Sequence, residues 1–95
     1  MILIKIHNSG ASRLISICDS DLIGKKFEQG NKQLDITERF YKGEEMSEEK
    51  IFSLLETCSS LNVVGKESIQ FALKNKIIHK DLIIIIQGIP HAQAL

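Results

Sequence analysis

Apolar and polar residues alternate at the beginning of the chain. Ile2, Ile4 and Ile6 fall on one side of an extended segment, opposite Leu3, Lys5 and His7. A period of two with β-branched residues is typical of a half-buried strand. A turn rich in Asn, Ser and Gly and a second alternating segment follow. We therefore predict a β-hairpin whose strands span residues 2–7 and 13–19.

Two later segments have the period of an amphipathic helix. Ser47 has the character of an N-cap, and two glutamates follow it in the first turn, where carboxylates favour the helix dipole. Apolar residues then recur at helical spacing as far as Cys58, which predicts a helix over residues 48–58. A break over residues 59–62 precedes a second predicted helix over residues 64–77.

Two further apolar segments complete the predicted elements. Residues 33–37 have a two-residue spacing that predicts a third strand. Residues 82–86 are continuously apolar and rich in isoleucine, which is the pattern of a strand buried on both faces. We therefore expect a central strand there. Gly88 and Pro90 end it, and a short tail follows.

The order of these elements predicts the fold class. The order is β-β-β-α-α-β within 95 residues, a length that holds one core. We predict a single α+β domain spanning residues 1–95. Its expected architecture is a two-layer α/β sandwich with both helices on one face of a mixed sheet.

Composition and charge exclude several classes of protein. The chain is 43% hydrophobic and has one proline, which excludes a disordered or low-complexity protein. Twelve basic residues balance twelve acidic ones, so bulk charge offers no argument for binding nucleic acid or a membrane. No apolar run approaches the ~20 residues needed to span a bilayer, and no targeting segment is recognisable. We expect a cytoplasmic protein.

Cysteine and histidine spacing predicts neither a metal site nor a nucleophile pair. Cys18 and Cys58 fit no disulfide framework or metal motif, and each lies in an apolar pattern typical of buried, inert cysteine. His7, His79 and His91 have no metal-ligand spacing. We therefore expect no cofactor, no metal and no catalytic residue.

Two glycine–lysine segments are candidate anion sites. Gly65 and Lys66 lie where a helix is expected to begin, and free N–H groups there attract phosphate, although the spacing is not that of a P-loop. Gly24 and Lys25 open the second segment, in which Phe27 could stack on a base. A purely structural role is the alternative in each case: a tight entry into a helix, or a loop whose Phe27 packs into the core.

Charge is unevenly distributed along the chain. Residues 31–65 have 4 basic and 7 acidic side chains, a net charge of −3, whereas residues 66–95 have 4 and 2, a net charge of +2. A neutral protein can therefore carry a local basic face. Six lysines would build it: Lys25, Lys26, Lys66, Lys74, Lys76 and Lys80.

The segment that begins at Gly88 is the most distinctive in its chemistry. It contains Pro90, His91 and Gln93. A strand end rich in Gly and Pro, followed by polar side chains, is a place where ligands often meet a scaffold. The alternative is an ordered C-terminal tail that packs across the sheet edge, with His91 bonded to a backbone carbonyl.

Several of these segments resemble one family. Residues 22–25 (LIGK), 62–68 (NVVGKES) and 88–93 (GIPHAQ) are similar to the archaeal domain-of-unknown-function family 424, and P-H-A-Q is the most specific part. The resemblance covers nearly the whole chain. It implies a two-layer α/β domain in an archaeal cytoplasm, with no established activity. It also marks candidate site residues, without making them catalytic: Gly24, Lys25, Asn62, Gly65, Pro90, His91 and Gln93.

Three functions are open at this point. We favour a non-enzymatic binding module for structured RNA or a ribonucleoprotein, with Lys66 among the contacts and translation as an associational setting. The second is a small polar-ligand binder or an enzyme that uses His91, with Asn62 and Gln93 orienting the substrate, although no nucleophile–base pair supports catalysis. The third is a protein-interaction or homodimer module that uses an exposed strand edge.

Overall fold

The computed structural model describes residues 1–94, which contain seven strands in two sheets. Five strands form the main sheet, in the order β1-β2-β5-β7-β6, and two form a separate hairpin, β3-β4. The strands are β1 (Ile2–Ser9), β2 (Ser12–Asp19), β3 (Lys26–Gln29), β4 (Lys32–Asp35), β5 (Ser60–Val64), β6 (Ile84–Ile86) and β7 (Ile89–Ala94).

Parallel and antiparallel pairing both occur in the main sheet. β1 pairs antiparallel with β2, as the first hairpin pattern predicts. β2 and β5 are parallel, whereas β7 is antiparallel to both β5 and β6. The prediction of a mixed sheet in an α+β fold is therefore confirmed.

Three α-helices accompany the sheets within residues 1–94: α1 (Glu38–Tyr41), α2 (Glu48–Leu55) and α3 (Lys66–Lys74). α2 begins as predicted, because the Ser47 hydroxyl accepts a hydrogen bond from the Lys50 N–H at 3.2 Å. Both α2 and α3 end earlier than the predicted helices. No helix in this part of the chain is long and apolar enough to cross a membrane.

The main sheet is covered on both faces. On one face, α2 and α3 pack against the strands in a cluster that includes Ile51, Ile69 and Val63. On the other face, α1 and the β3–β4 hairpin cover a second cluster that includes Tyr41 and Val64. The two longer helices thus share one face, as predicted. The layer formed by α1 and the hairpin is additional to the two predicted layers.

The predicted order β-β-β-α-α-β is wrong in four places, the first being α1, where no helix is predicted. Residues 26–29 form β3 in a segment predicted to be a loop. Residues 60–64 form β5 instead of a helix break, and residues 89–94 form β7 instead of a tail. The last two strands lie inside the sheet, where their apolar positions face both covered layers and lose a clear period of two. Their polar residues, Asn62 and His91, are bonded to each other.

The isoleucine-rich segment does not form the centre of the sheet, so that prediction is also wrong. Only residues 84–86 of the segment are a strand, and this strand, β6, lies at one edge of the sheet. Ile84 and Ile85 are 41% and 51% exposed. A continuous apolar run is typical of a doubly covered strand, but here it places large apolar side chains on the surface.

Candidate binding site at the β5–β7–β6 end of the sheet

β5 and β7 bring together residues that are far apart in the sequence. The register pairs Asn62 with Gln93 and Val64 with His91. One step further, the Gly65 N–H donates to the Pro90 carbonyl at 2.9 Å. Of the eight candidate site residues, six therefore lie on these two strands or at the start of α3: Asn62, Gly65, Lys66, Pro90, His91 and Gln93.

A buried polar network holds the His91 ring. The Asn62 amide oxygen accepts a hydrogen bond from the Tyr41 hydroxyl at 3.2 Å and from His91 Nε2 at 3.1 Å. Because this oxygen can only accept, the imidazole carries its proton on Nε2 and presents an unprotonated Nδ1. His91 is thus hydrogen-bonded to the side chain of Asn62. The structural interpretation of the tail, in which His91 bonds to a backbone carbonyl, is wrong on this point.

The second nitrogen of the same ring is an unused acceptor. His91 Nδ1 is buried and has no hydrogen-bond partner within the described residues. Burial lowers the pKa of His91 below its ordinary value, which keeps the ring neutral at pH 7. A buried polar atom without a partner is costly, so this atom is a candidate ligand contact.

A small groove lies beside His91 at the edge of the sheet. It has a volume of about 190 Å³ and is lined by Leu82, Ile84, His91, Ala92 and Gln93. Pockets for small molecules and cofactors usually measure ~300–1,000 Å³. The groove is therefore better matched to a single side chain of a partner than to a metabolite.

The candidate anion site at the start of α3 is filled from within the chain. The Asp19 carboxylate, at the end of β2, accepts hydrogen bonds from the Glu67 N–H at 3.1 Å and the Ser68 N–H at 2.8 Å. It also accepts from the Ser68 hydroxyl at 2.7 Å. Asp19 therefore caps α3, and these donors are not free for a phosphate.

Gly65 is required by this cap. Its φ is +107°, a conformation that L residues rarely adopt. A Cβ at this position would also collide with the Asp19 carboxylate. The structural interpretation of Gly65, a tight entry into the helix, is thus the one that fits. Asp19 makes this contact from the end of β2, 49 positions before Ser68 in the sequence.

The Gly24–Lys25 segment lies in the hairpin layer and does not join the other candidates. The Gly24 N–H donates to the Ile36 carbonyl, and the Lys25 N–H donates to the Leu22 carbonyl. Phe27 is half-buried and packs against the second core cluster, as its structural interpretation predicts. These contacts tie the segment to the hairpin, not to β5 or β7.

The buried thiol and phenol near the network are poor nucleophiles. Burial raises the pKa of Cys18 and that of Tyr41 to about 12 each, so both groups stay protonated at neutral pH. No group of three or more His, Cys, Asp or Glu side chains in residues 1–94 is placed to hold a metal ion. The arrangement offers a hydrogen-bond acceptor, and neither Cys18 nor Tyr41 is an activated nucleophile.

The edge strand β6 was not among the candidate site residues. It is joined to β7 by a two-residue turn in which Gln87 and Gly88 both have positive φ, as in a type I′ hairpin. Hydrogen-bonded and non-bonded pairs alternate away from such a turn, so the Ile85–Pro90 pair is a non-bonded one. The N–H and C=O of Ile85 therefore point outward, away from the sheet.

The only sequence signal for this edge was the absence of charge. Residues 83–94 contain no Lys, Arg, Asp or Glu, whereas edge strands are usually protected by charged side chains or proline. From sequence alone, an uncharged and continuously apolar segment indicates a strand buried at the centre of a sheet. Distinguishing an unprotected edge from a central strand required the position of β7, which was predicted to be a tail.

Three of the six predicted basic-face lysines lie in one segment of the chain that precedes β6. Lys74, Lys76 and Lys80 are exposed, and residues 74–80 contain no acidic side chain. Lys76 and Lys80 also line an open depression of about 440 Å³. In contrast, Lys26 is paired with Glu28 at 3.4 Å on the hairpin.

Comparison with known proteins places the chain in a family. The sequence matches the family described as "Protein of unknown function (DUF424)" over residues 7–95, and the chain belongs to this family. A crystal structure of an uncharacterized conserved protein from Methanopyrus kandleri has the same fold, with a TM-score of 0.78 and 24% identity over 98% of this chain and 89% of that one. No curated protein matches the chain.

Proposed function

We propose that this DUF424 protein is a non-enzymatic binding module that receives a strand of another polypeptide along the edge of β6. The observation that carries the proposal is the unprotected edge itself. Leu82, Ile84 and Ile85 are 44%, 41% and 51% exposed, on the edge strand and in the turn that precedes it. Large apolar side chains left exposed at a strand edge are typical of an interaction site.

The backbone of the edge supports the same function. Since the N–H and C=O of Ile85 point outward, an added strand can form main-chain hydrogen bonds with them. This is the mode in which many peptide-binding domains extend a sheet. Ile85 presents both the backbone groups and the most exposed apolar side chain of the strand.

The groove beside the edge gives the site its selectivity. A side chain of the added strand enters the space between Ile84 and His91 and packs against the imidazole. Asn62 fixes the orientation of this ring through its hydrogen bond to Nε2. The groove volume of about 190 Å³ is consistent with one side chain.

We also propose an archaeal cytoplasmic setting. The neighbouring fold from Methanopyrus kandleri supports the archaeal part. Cys18 and Cys58 are free cysteines, which is common in a reducing compartment.

A photo-crosslinking experiment tests the proposed function. A diazirine amino acid, which reacts with protein and nucleic acid alike, replaces Ile85 in the full chain, and the matched control replaces Phe52, an exposed apolar residue on α2. We expect position 85 to label a defined polypeptide segment, position 52 not to label it, and Ile84→Lys to abolish the labelling. Labelling of RNA alone, or equal labelling from both positions, would overturn the proposal.

RNA binding is the second candidate function, and the basic segment over residues 74–80 is the observation that favours it. Three phosphate contacts from Lys74, Lys76 and Lys80 would give a log–log salt slope of roughly −2 to −3. Replacing Lys76 and Lys80 by Ala would flatten that slope by about two units. Total archaeal ribosomal RNA is the probe. Absence of binding at ~50 mM salt, where screening is weak, would exclude this function.

A further inference from the structure

We infer that the strand received by β6 is β6 of a second copy of this chain, paired antiparallel about a two-fold axis. This inference rests on the proposed function, because it names the partner of the same edge. Pairing two five-stranded sheets in this way produces one continuous ten-stranded sheet. The exposed β6 edge of each copy is then covered, and β1 forms the edge at either end.

The register of the pair follows from the direction of the backbone groups. A two-fold axis between antiparallel strands can pass through a bonded pair of identical residues. Ile85 is the residue of β6 whose N–H and C=O both point outward, so it pairs with Ile85 of the second copy through two hydrogen bonds. Ile84 of one copy then lies opposite Ile86 of the other, and Ile83 lies opposite Gln87.

The side chains of the segment are compatible with this pairing. Residues 83–86 are all isoleucine, and cross-strand pairs of β-branched residues stabilise antiparallel sheets. The absence of charge from residues 83–94 means that no like charges meet across the two-fold axis. The two largest exposed side chains of the strand, Ile84 and Ile85, become cross-strand neighbours of other isoleucines.

Charge at the ends of the strand does not oppose this pairing. Lys80 precedes β6 and is followed by Asp81, and Glu28 lies at the opposite end, where its N–H donates to the Gln87 side-chain oxygen at 2.8 Å. The Glu28 carboxylate pairs with Lys26 at 3.4 Å. The charges at each end are therefore balanced within one copy, and no net like charges meet across the pair.

The β3–β4 hairpin limits the length of the pairing. The Gln87 N–H donates to the Gln29 side-chain oxygen at 2.7 Å and is not free for a second copy. The free edge is therefore short, and we expect an association that depends on protein concentration.

Sedimentation velocity over a range of concentrations tests the inference with the full chain. We expect the wild type to move from the 10.7 kDa monomer toward twice that mass as the concentration rises. Ile85→Lys, which introduces facing charges, should weaken the association about tenfold or more. Ile85→Pro, which removes the outward N–H at an edge position that tolerates proline, should weaken it too. Phe52→Lys is the control and should associate as the wild type does.

Two results would overturn the inference. One is a wild type that remains a monomer at every concentration, and the other is an Ile85→Pro variant that associates as strongly as the wild type. If the wild type is monomeric while a photoprobe at position 85 labels another polypeptide, the second copy is excluded and the proposed function stands. If the probe at position 85 labels no polypeptide either, both proposals fail.

Discussion

The carboxylate that caps α3 offers the sharpest test of how the fold is held together. Asp19→Asn keeps the shape of the side chain and removes its charge. In the wild type, Asp19 accepts three hydrogen bonds, from the Glu67 N–H, the Ser68 N–H and the Ser68 hydroxyl. The variant offers one oxygen and turns an amide group toward donors that need an acceptor.

The magnitude of the loss follows from these contacts. Hydrogen bonds to a charged group contribute ~1.5–3 kcal/mol each, and a negative charge at a helix N-terminus contributes up to ~2 kcal/mol. Because the amide side chain of the variant would retain one acceptor oxygen, we expect a net loss of about 2–4 kcal/mol in the free energy of unfolding. For a domain of this size, that corresponds to a Tm lower by about 10–25 °C.

Urea unfolding followed by circular dichroism at pH 7 measures this loss. The matched control is Asp21→Asn, which removes an exposed carboxylate two positions away and should change stability by no more than ~0.5 kcal/mol. A loss below ~1 kcal/mol for Asp19→Asn, or equal losses for the two variants, would refute the argument that Asp19 is the cap of α3.

Three further outcomes are expected in the same unfolding assay. Ile84→Ala should cost less than ~1.5 kcal/mol and Ile17→Ala ~2–5 kcal/mol, because Ile84 is exposed at an edge and Ile17 is buried; equal costs would contradict the sheet order. Burial raises the pKa of Cys18 to about 12 in the folded protein, whereas it is about 9 in the unfolded chain. The free energy of unfolding should therefore fall by ~1.4 kcal/mol per pH unit as the pH rises through this window. Cys18→Ala should flatten this fall, and an equally steep fall in that variant would contradict the assignment. Because the pKa of His91 is lowered in the folded protein, the unfolded chain binds a proton at higher pH, and the free energy of unfolding should fall as the pH drops below 6.5. A His91→Gln variant that loses stability just as steeply below this pH would contradict the explanation.

The parts of the fold predicted correctly have local causes. The first hairpin follows from alternation around a turn, and the start of α2 follows from Ser47 and the glutamates behind it. The α+β class follows from the presence of both periods in one short chain. None of these features depends on a distant part of the sequence.

The errors arise where distant segments decide the structure. β5 and β7 support each other inside the sheet, and neither has a period that identifies it alone. Without β7 beside it, β6 had to be interpreted as a central strand. The cap of α3 is also non-local, because Asp19 lies 49 positions before Ser68.

The candidate site was predictable in its members and not in its geometry. Asn62, Pro90, His91 and Gln93 were singled out, and the structure places them on neighbouring strands. The pairing of Asn62 with His91 and the unused nitrogen of that ring depend on strand register. The exposed isoleucines of β6 were missed because hydropathy alone does not distinguish a buried strand from an unprotected edge.

Amide hydrogen exchange at Ile85, measured by NMR, tests the docking edge most directly. The Ile85 N–H points outward from β6. On the opposite edge strand, β1, the Ile4 N–H donates outward to the Glu44 carbonyl. Because alternate residues of a strand point their N–H groups the same way, the Ile6 N–H also points outward. We expect Ile85 to exchange quickly in the dilute monomer and to become protected when the partner strand binds, while Ile6 is unchanged. Protection that appears at Ile6 and not at Ile85 would contradict the claim that β6 is the docking edge.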